Sequence, residues 1–129
     1  MQERRSPQPA VLMALLLGCA LPAHSHHSSA MFDKDVVREV HAVVKEFQWT
    51  NPHVWIQILI ENESGDTEEW SIEGGGPNTL FRSGWRRDSF RPGDEIDIRF
   101  NPMRDGSAAG GFIGAKFGNG STLGKWQVS

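Results

Sequence analysis

Three of the five histidines, His24, His26 and His27, fall within four residues, and they are the most chemically pointed feature of the chain. If the chain is cut after Ala23, its new N-terminus reads His24-Ser25-His26. A free amine, two backbone amides and an imidazole at the third position then form a square-planar nitrogen set. That geometry suits Cu(II) or Ni(II), and copper is the tighter of the two by the usual affinity order. His24 or His27 would add a further ligand. In a second version the amine and ring of His24 act with His53, the N-terminal arm folding over the Asn51-Pro52-His53 corner. The plainer alternative leaves residues 24–29 as a solvated tail and gives His53 a hydrogen bond within its turn. Histidine-rich tracts suggest metal by composition alone.

Two other groups offer binding chemistry. Trp49, Trp55, Trp70 and Trp85 include one, Trp55, on the strand face opposite an isoleucine series, where an exposed indole would serve as a stacking platform. Trp70 shares its face with Ile72 and reads as core, the commoner fate of tryptophan in a small barrel. Arg82, Arg86, Arg87 and Arg91 cluster beyond a short helix and could receive an anion or a partner. Asp88, Asp94 and Glu95 lie close enough in sequence to make a salt-bridged, solvated face instead. The glycines at 74–76 are not a phosphate loop, since no Lys-Ser/Thr follows and Pro77 removes an amide. No nucleophile elbow, HExxH or CxxC signature is present. Glu69, Glu73 and His41 fall on an outer strand face, where such residues are ordinary. The chain therefore reads as a binding module rather than an enzyme, and catalysis would need a bound metal.

The elements that must position these groups follow from periodicity. Val40, Ala42 and Val44 alternate against Glu39, His41 and Val43, as in a half-buried strand. The phase then changes near Lys45-Glu46, so that Phe47 and Trp49 become the apolar set, which predicts a β-bulge. Asn51-Pro52 breaks the run. Val54, Ile56, Ile58 and Ile60 alternate strictly, and Glu61 to Asp66, with Asn62, Ser64 and Gly65, predicts a hairpin turn into a third strand at Trp70 and Ile72. Pro77 suits a first helical position, and Gly84 can end a helix of about two turns. Ile96, Ile98 and Phe100 mark a fourth strand. A Gly/Ala/Ser-rich loop over 104–110 leads to a last strand through Phe112, Ile113, Ala115 and Phe117. Leu123 and Trp126 are expected to pack back as a short closing segment. Three strands, a short helix and two strands is the order of an OB-fold-like five-stranded barrel, with an open β-sandwich as the alternative.

Residues 1–23 have another character. Arg4 and Arg5, the apolar run Val11 to Leu17, and the small residues Gly18, Cys19 and Ala20 predict a cleaved signal peptide. The run falls well short of the roughly 20 residues of a spanning helix. Leu16-Leu17-Gly18-Cys19 also reads as a lipobox. Lipidation of Cys19, the only cysteine, would block the amine-based copper site and leave a membrane-anchored lipoprotein. Residues 24–35 are then a flexible histidine-rich arm and 36–129 the barrel, in a periplasmic or secreted protein. Cleavage after Ala23 leaves 11 basic and 15 acidic residues, a net charge of −4. A mildly acidic domain is a poor nucleic-acid binder.

The stretches HHSSAMFD, VKEFQWTNPHVWIQ, GPNTLFRSGWRRDSFRPGDEI and NPMRDGSAAGG resemble a family of small exported bacterial proteins known only as a domain of unknown function. The likeness runs from about His26 to Leu123, and the NPH-containing segment is its most specific part. It implies export and a compact β-domain, and brings no activity, substrate or catalytic residues. Two departures stand out. Ser29 occupies a position where an aromatic commonly follows His-His-Ser, which should weaken the pinning of the arm. Gly74-Gly75-Gly76 replaces a more ordinary turn, which should loosen the start of the helix.

The expected function is thus a periplasmic binding or accessory module, holding copper through His24, His26, His27 and His53. The rival is an interaction domain that docks on an envelope protein through Trp55, Asn51 and the loop at 104–110. A metal-dependent oxidoreductase using the His24 amine is a weaker third reading.

Overall fold

The computed structural model describes residues 29–127. A 3-10 turn, Ser29–Met31, precedes β1 (Arg38–Gln48), β2 (Trp55–Glu61), β3 (Thr67–Glu73), α1 (Pro77–Arg82), β4 (Glu95–Pro102), β5 (Ala109–Phe117) and β6 (Thr122–Gly124). The strands pair in the order β3-β2-β1-β4-β5-β6, and a parallel β3–β5 pairing closes the first five into a barrel. This is the expected mainly β, OB-fold-like barrel, with its one short helix between β3 and β4. Among the described residues no helix is long and apolar enough to cross a membrane.

The bulge falls where the phase change predicts it. Val44 faces Ile58 and Glu46 faces Gln57, so Lys45 is the extra residue. The same strand pairs β4 through Arg38–Val43 and β2 through Val43–Gln48, which the extra twist at a bulge makes geometrically possible. Inside the barrel stand Ala42, Val44, Ile56, Ile58, Ile60, Trp70, Ile72, Ile96, Ile98, Phe100 and Ala115, all buried. Each large aliphatic or aromatic side chain removed from water there contributes about 1.5–3 kcal/mol.

The glycines before α1 are a close-packed junction, not a loose one. Gly74 donates to the Val54 carbonyl and Val54 donates to the Gly75 carbonyl, a short ladder that continues β3 alongside the start of β2. A Cβ on Gly74 would stand only 2.5 Å from Val54 Cγ2, so only glycine fits there. The helix ends as expected. Gly84, at φ +95, lets its own amide reach the Phe81 carbonyl and the Trp85 amide reach the Leu80 carbonyl, a Schellman ending. That turn sends Trp85 inward. There it joins Phe90, Phe112, Phe47 and Phe117 in a plug of rings at one barrel end, with centroids 5.0–6.3 Å apart.

Two expectations are corrected here. The loop predicted over 104–110 is shorter, because β5 already begins at Ala109 and its glycines make the closing contact with β3. In the segment read as a flexible arm, Ser29 to Asp35 is tied to the barrel. Phe32 bridges Met103, the Asp33 amide donates to the Pro102 carbonyl, and Arg104 donates through its amide to Met31 and through Nε to Ala30. The Phe32 ring lies over Gly111, where a Cβ would stand 3.0 Å from Cδ2. Phe32 thus supplies the pinning that Ser29 does not. Residues 24–28 of the arm lie outside the described residues. The expected closing segment exists as β6, paired along the stretch of β5 that β3 leaves free.

Candidate functional site

The Asn51-Pro52-His53 corner is held in place from both sides. Its Asn51–Pro52 peptide is cis, the Thr50 hydroxyl donates to the His53 carbonyl at 2.9 Å, and Val54 is locked to Gly74 and Gly75. The corner carries His53 to the end of β3, where its Nδ1 stands 2.6 Å from Glu73 Oε1. The Glu73 side chain is only 7% exposed, against 36% for His53, and Glu73 is the one buried charged residue among those described. A carboxylate withdrawn from water is costly unless paired and hydrogen-bonded, so the pair holds His53 in one orientation. His53 Nε2, the other ring nitrogen, has no hydrogen bond to any described residue. Glu73 is indeed on the outer strand face, as alternation predicts, but it is not an ordinary solvated carboxylate.

The pair sits within a polar and aromatic surface. Trp55 faces Glu73 in the β2–β3 register and Gln48 in the β1–β2 register, half-buried on the outer face as predicted. Beside it the Ser71 hydroxyl donates to Gln57 Oε1 at 2.5 Å, and Gln57 Nε2 donates to Gln48 Oε1 at 3.2 Å. Asn51 is exposed at the corner. On the other flank, Gly111 is the β5 register partner of Glu73, and Phe32 covers Gly111. Phe32 is thereby anchored one strand away from Glu73.

Not every candidate joins this site. Arg86 and Arg87 lie on the α1 side of the molecule, where, among the described residues, Arg91 alone of the arginine cluster forms an ion pair, with Asp88 at 3.0 Å. His41 is on the outer face of β1 and β4, with Nδ1 3.0 Å from Asp97 and Nε2 3.8 Å from Glu95. The Asp97 hydrogen bond, opposed by slight burial and reinforced by the charges of Asp97 and Glu95, holds the imidazole above its ordinary value. Glu69 pairs with Lys45 at 2.6 Å. His24, His26 and His27 lie outside the described residues. Among the described residues no group of three or more histidine, cysteine or acidic side chains is placed to hold a metal. The two described histidines, His41 and His53, therefore each stand beside carboxylates without forming such a group. Sequence reasoning placed Glu73 on the outer face and set it aside as ordinary, without seeing its burial. The available signal was its position at the end of β3, one residue before a glycine run that brings the His53 corner against it.

Fold and site together define a small mainly β barrel that presents an imidazole paired with a buried carboxylate beside a half-buried tryptophan. The chain belongs to a family of unknown function (DUF6152), whose model matches residues 14–112. That span includes the His53 corner, Glu73 and all of α1. No curated protein and no solved structure matches the chain.

Proposed function

We propose that the chain is an exported binding module whose barrel contributes His53 to a metal site, with copper the favoured ion, completed by His24, His26 and His27 of the mature N-terminus. One observation carries this reading: the His53–Glu73 pair. A metal-binding histidine usually gives its second ring nitrogen to a carboxylate or carbonyl, which fixes the tautomer and aims the ligating nitrogen outward. A barrel histidine that only closed a turn would not need a buried carboxylate behind it. The anchoring of Phe32 on Gly111 adds support, since Gly111 is the register partner of Glu73. Export and cleavage after Ala23 belong to the same proposal, because the amine ligand requires an unblocked His24.

The test uses protein matured to His24, mixed with one equivalent of Cu(II) and followed by native mass and electron paramagnetic resonance. One retained copper with nitrogen couplings is expected. His26→Ala should abolish retention, and Glu73→Gln should weaken it by about 10–100-fold, the usual effect of losing such a supporting carboxylate. Copper retained equally by His26→Ala and His53→Ala would end the proposal. The interaction reading would then lead, supported by the half-buried Trp55 on its open face, and Trp55→Ala would be the variant that abolishes capture of an envelope partner.

A further inference from the structure

A second site lies on the far side of the corner, built by the end of β1 and the return from α1. The bulge at Lys45 sets the phase that brings Trp49 to the molecular edge, half-buried and packed edge-on against Phe47 at 5.9 Å. Opposite it, α1 leaves Phe81 55% exposed, an unusual place for a phenyl ring in so small a domain. The Schellman turn then buries Trp85 and throws Arg86 outward. Its Nη1 donates to the carbonyls of Phe81 at 3.1 Å and Trp85 at 2.7 Å, and its guanidinium lies 4.2 Å from the Phe81 ring centroid. Arg86 is thus a fixed plate on the phenyl ring, not a waving side chain.

Between these walls is an open cleft of about 520 Å³, lined by Trp49, Pro77, Phe81, Arg86, Arg87 and Asp88 among others. That volume falls within the ~300–1,000 Å³ typical of small-molecule sites. Arg87 makes no hydrogen bond or ion pair with any described residue. The one carboxylate in the lining, Asp88, is turned to Arg91 at 3.0 Å. A protein of net negative charge therefore carries here a locally positive cleft, with two guanidinium groups and two aromatic walls. Guanidinium is the side chain best matched to a planar oxyanion, and an indole and a phenyl ring lining one cleft favour a flat apolar body.

We propose that this cleft binds a small organic anion with a flat aromatic body, stacked between Trp49 and Phe81, its carboxylate held by Arg87 and the free edge of Arg86. The site is separate from the His53 corner and needs no metal.

The test titrates the ¹⁵N-labelled full mature protein, in the presence of a chelator, with 2-naphthoate and with the uncharged 2-acetylnaphthalene. One naphthoate should bind, shifting the Trp49 indole N–H and the amides of Asn78 and Arg87. The uncharged analogue should bind at least about tenfold more weakly, as should naphthoate to Arg87→Gln, because each loses a charge-assisted contact. Arg87 is exposed, so its replacement leaves the fold intact, and Lys116→Gln, at an exposed position of β5, serves as a charge-matched control that should bind like the parent. Equal binding of the two naphthalenes, unchanged binding by Arg87→Gln, or shifts spread over other faces would each overturn the proposal.

Discussion

Replacing Gly110 with alanine would add a single methyl group at the seam that closes the barrel. Gly110 faces Pro102 of β4 on one side and Ile72 of β3 on the other. Its Cβ would stand 2.4 Å from Phe100 Cδ2 and 2.7 Å from the Asn101 carbonyl oxygen, where carbon atoms in contact prefer about 3.5–4.0 Å. Phe100 has nowhere to go: it is fully buried, 5.6 Å from the Trp70 ring and capped by the Arg38 guanidinium at 5.7 Å. Overpacking of this kind costs about 1–3 kcal/mol, and the reduced freedom of the unfolded chain returns about 0.4–1 kcal/mol. The net loss is about 1–2 kcal/mol, which lowers the melting temperature of a domain this size by roughly 5–15 °C. Gly118→Ala is the matched control. Its Cβ would meet nothing within 4 Å and its backbone is not left-handed, so stability should hold or rise slightly. Scanning calorimetry with urea titration reads both. The Gly110→Ala, Phe100→Leu double variant should lose less than the sum of its single variants, since the ring is the obstacle. A Gly110→Ala protein that melts at or above the parent would refute the view that close ring packing dictates glycine at the seam.

Three further outcomes follow from the described contacts. In metal-free protein, His53→Ala should cost about 1–3 kcal/mol by stranding the Glu73 carboxylate, and more than Glu73→Gln, which keeps a hydrogen-bonding group of the same size; urea midpoints in the reverse order would contradict the pairing. His41 titrates above the ordinary imidazole value, so its contribution to stability is full below about pH 6.5 and is lost as pH rises through the folded value. Asp97→Asn should move the His41 titration downward by NMR and flatten that part of the stability profile. Gly84→Ala should cost about 1–2 kcal/mol, because it forces a side chain into the left-handed turn at φ +95 that ends α1; an unchanged denaturation midpoint would show that the turn can re-form another way.

Much of the barrel was legible because its strands are amphipathic in period two. Val40, Ala42 and Val44, then Phe47 and Trp49, wrote the bulge into the sequence as a change of phase, and the isoleucines of β2 and β4 marked the interior. The start of β5 was not legible, since Ala109, Gly110 and Gly111 carry at most a methyl group; the Phe100 and Phe32 rings lie against the two glycines. The same holds for Gly74 to Gly76, whose junction with Val54 looks like slack in one dimension. The site was half legible. His53 and Trp55 stood out by type and place, but the burial of Glu73 depends on a corner 20 residues earlier in the chain, and alternation can assign a face without saying what covers it.

The parallel seam between β3 and β5 also sets an order of events on a chain that emerges from its N-terminus. β1, β2 and β3 form a meander of neighbouring hairpins, whose loops are short and whose pairing needs nothing further along. β1 must then wait with its second edge open until β4 has been made, since Arg38 meets Phe100 there. The seam waits longer still, until Gly111 can reach Glu73. Such distant pairings make folding slow relative to local ones. Until Gly111 arrives, Glu73 lies on an open strand edge, so the His53 corner gains its buried partner only at the final step, and the barrel and its candidate site are completed together.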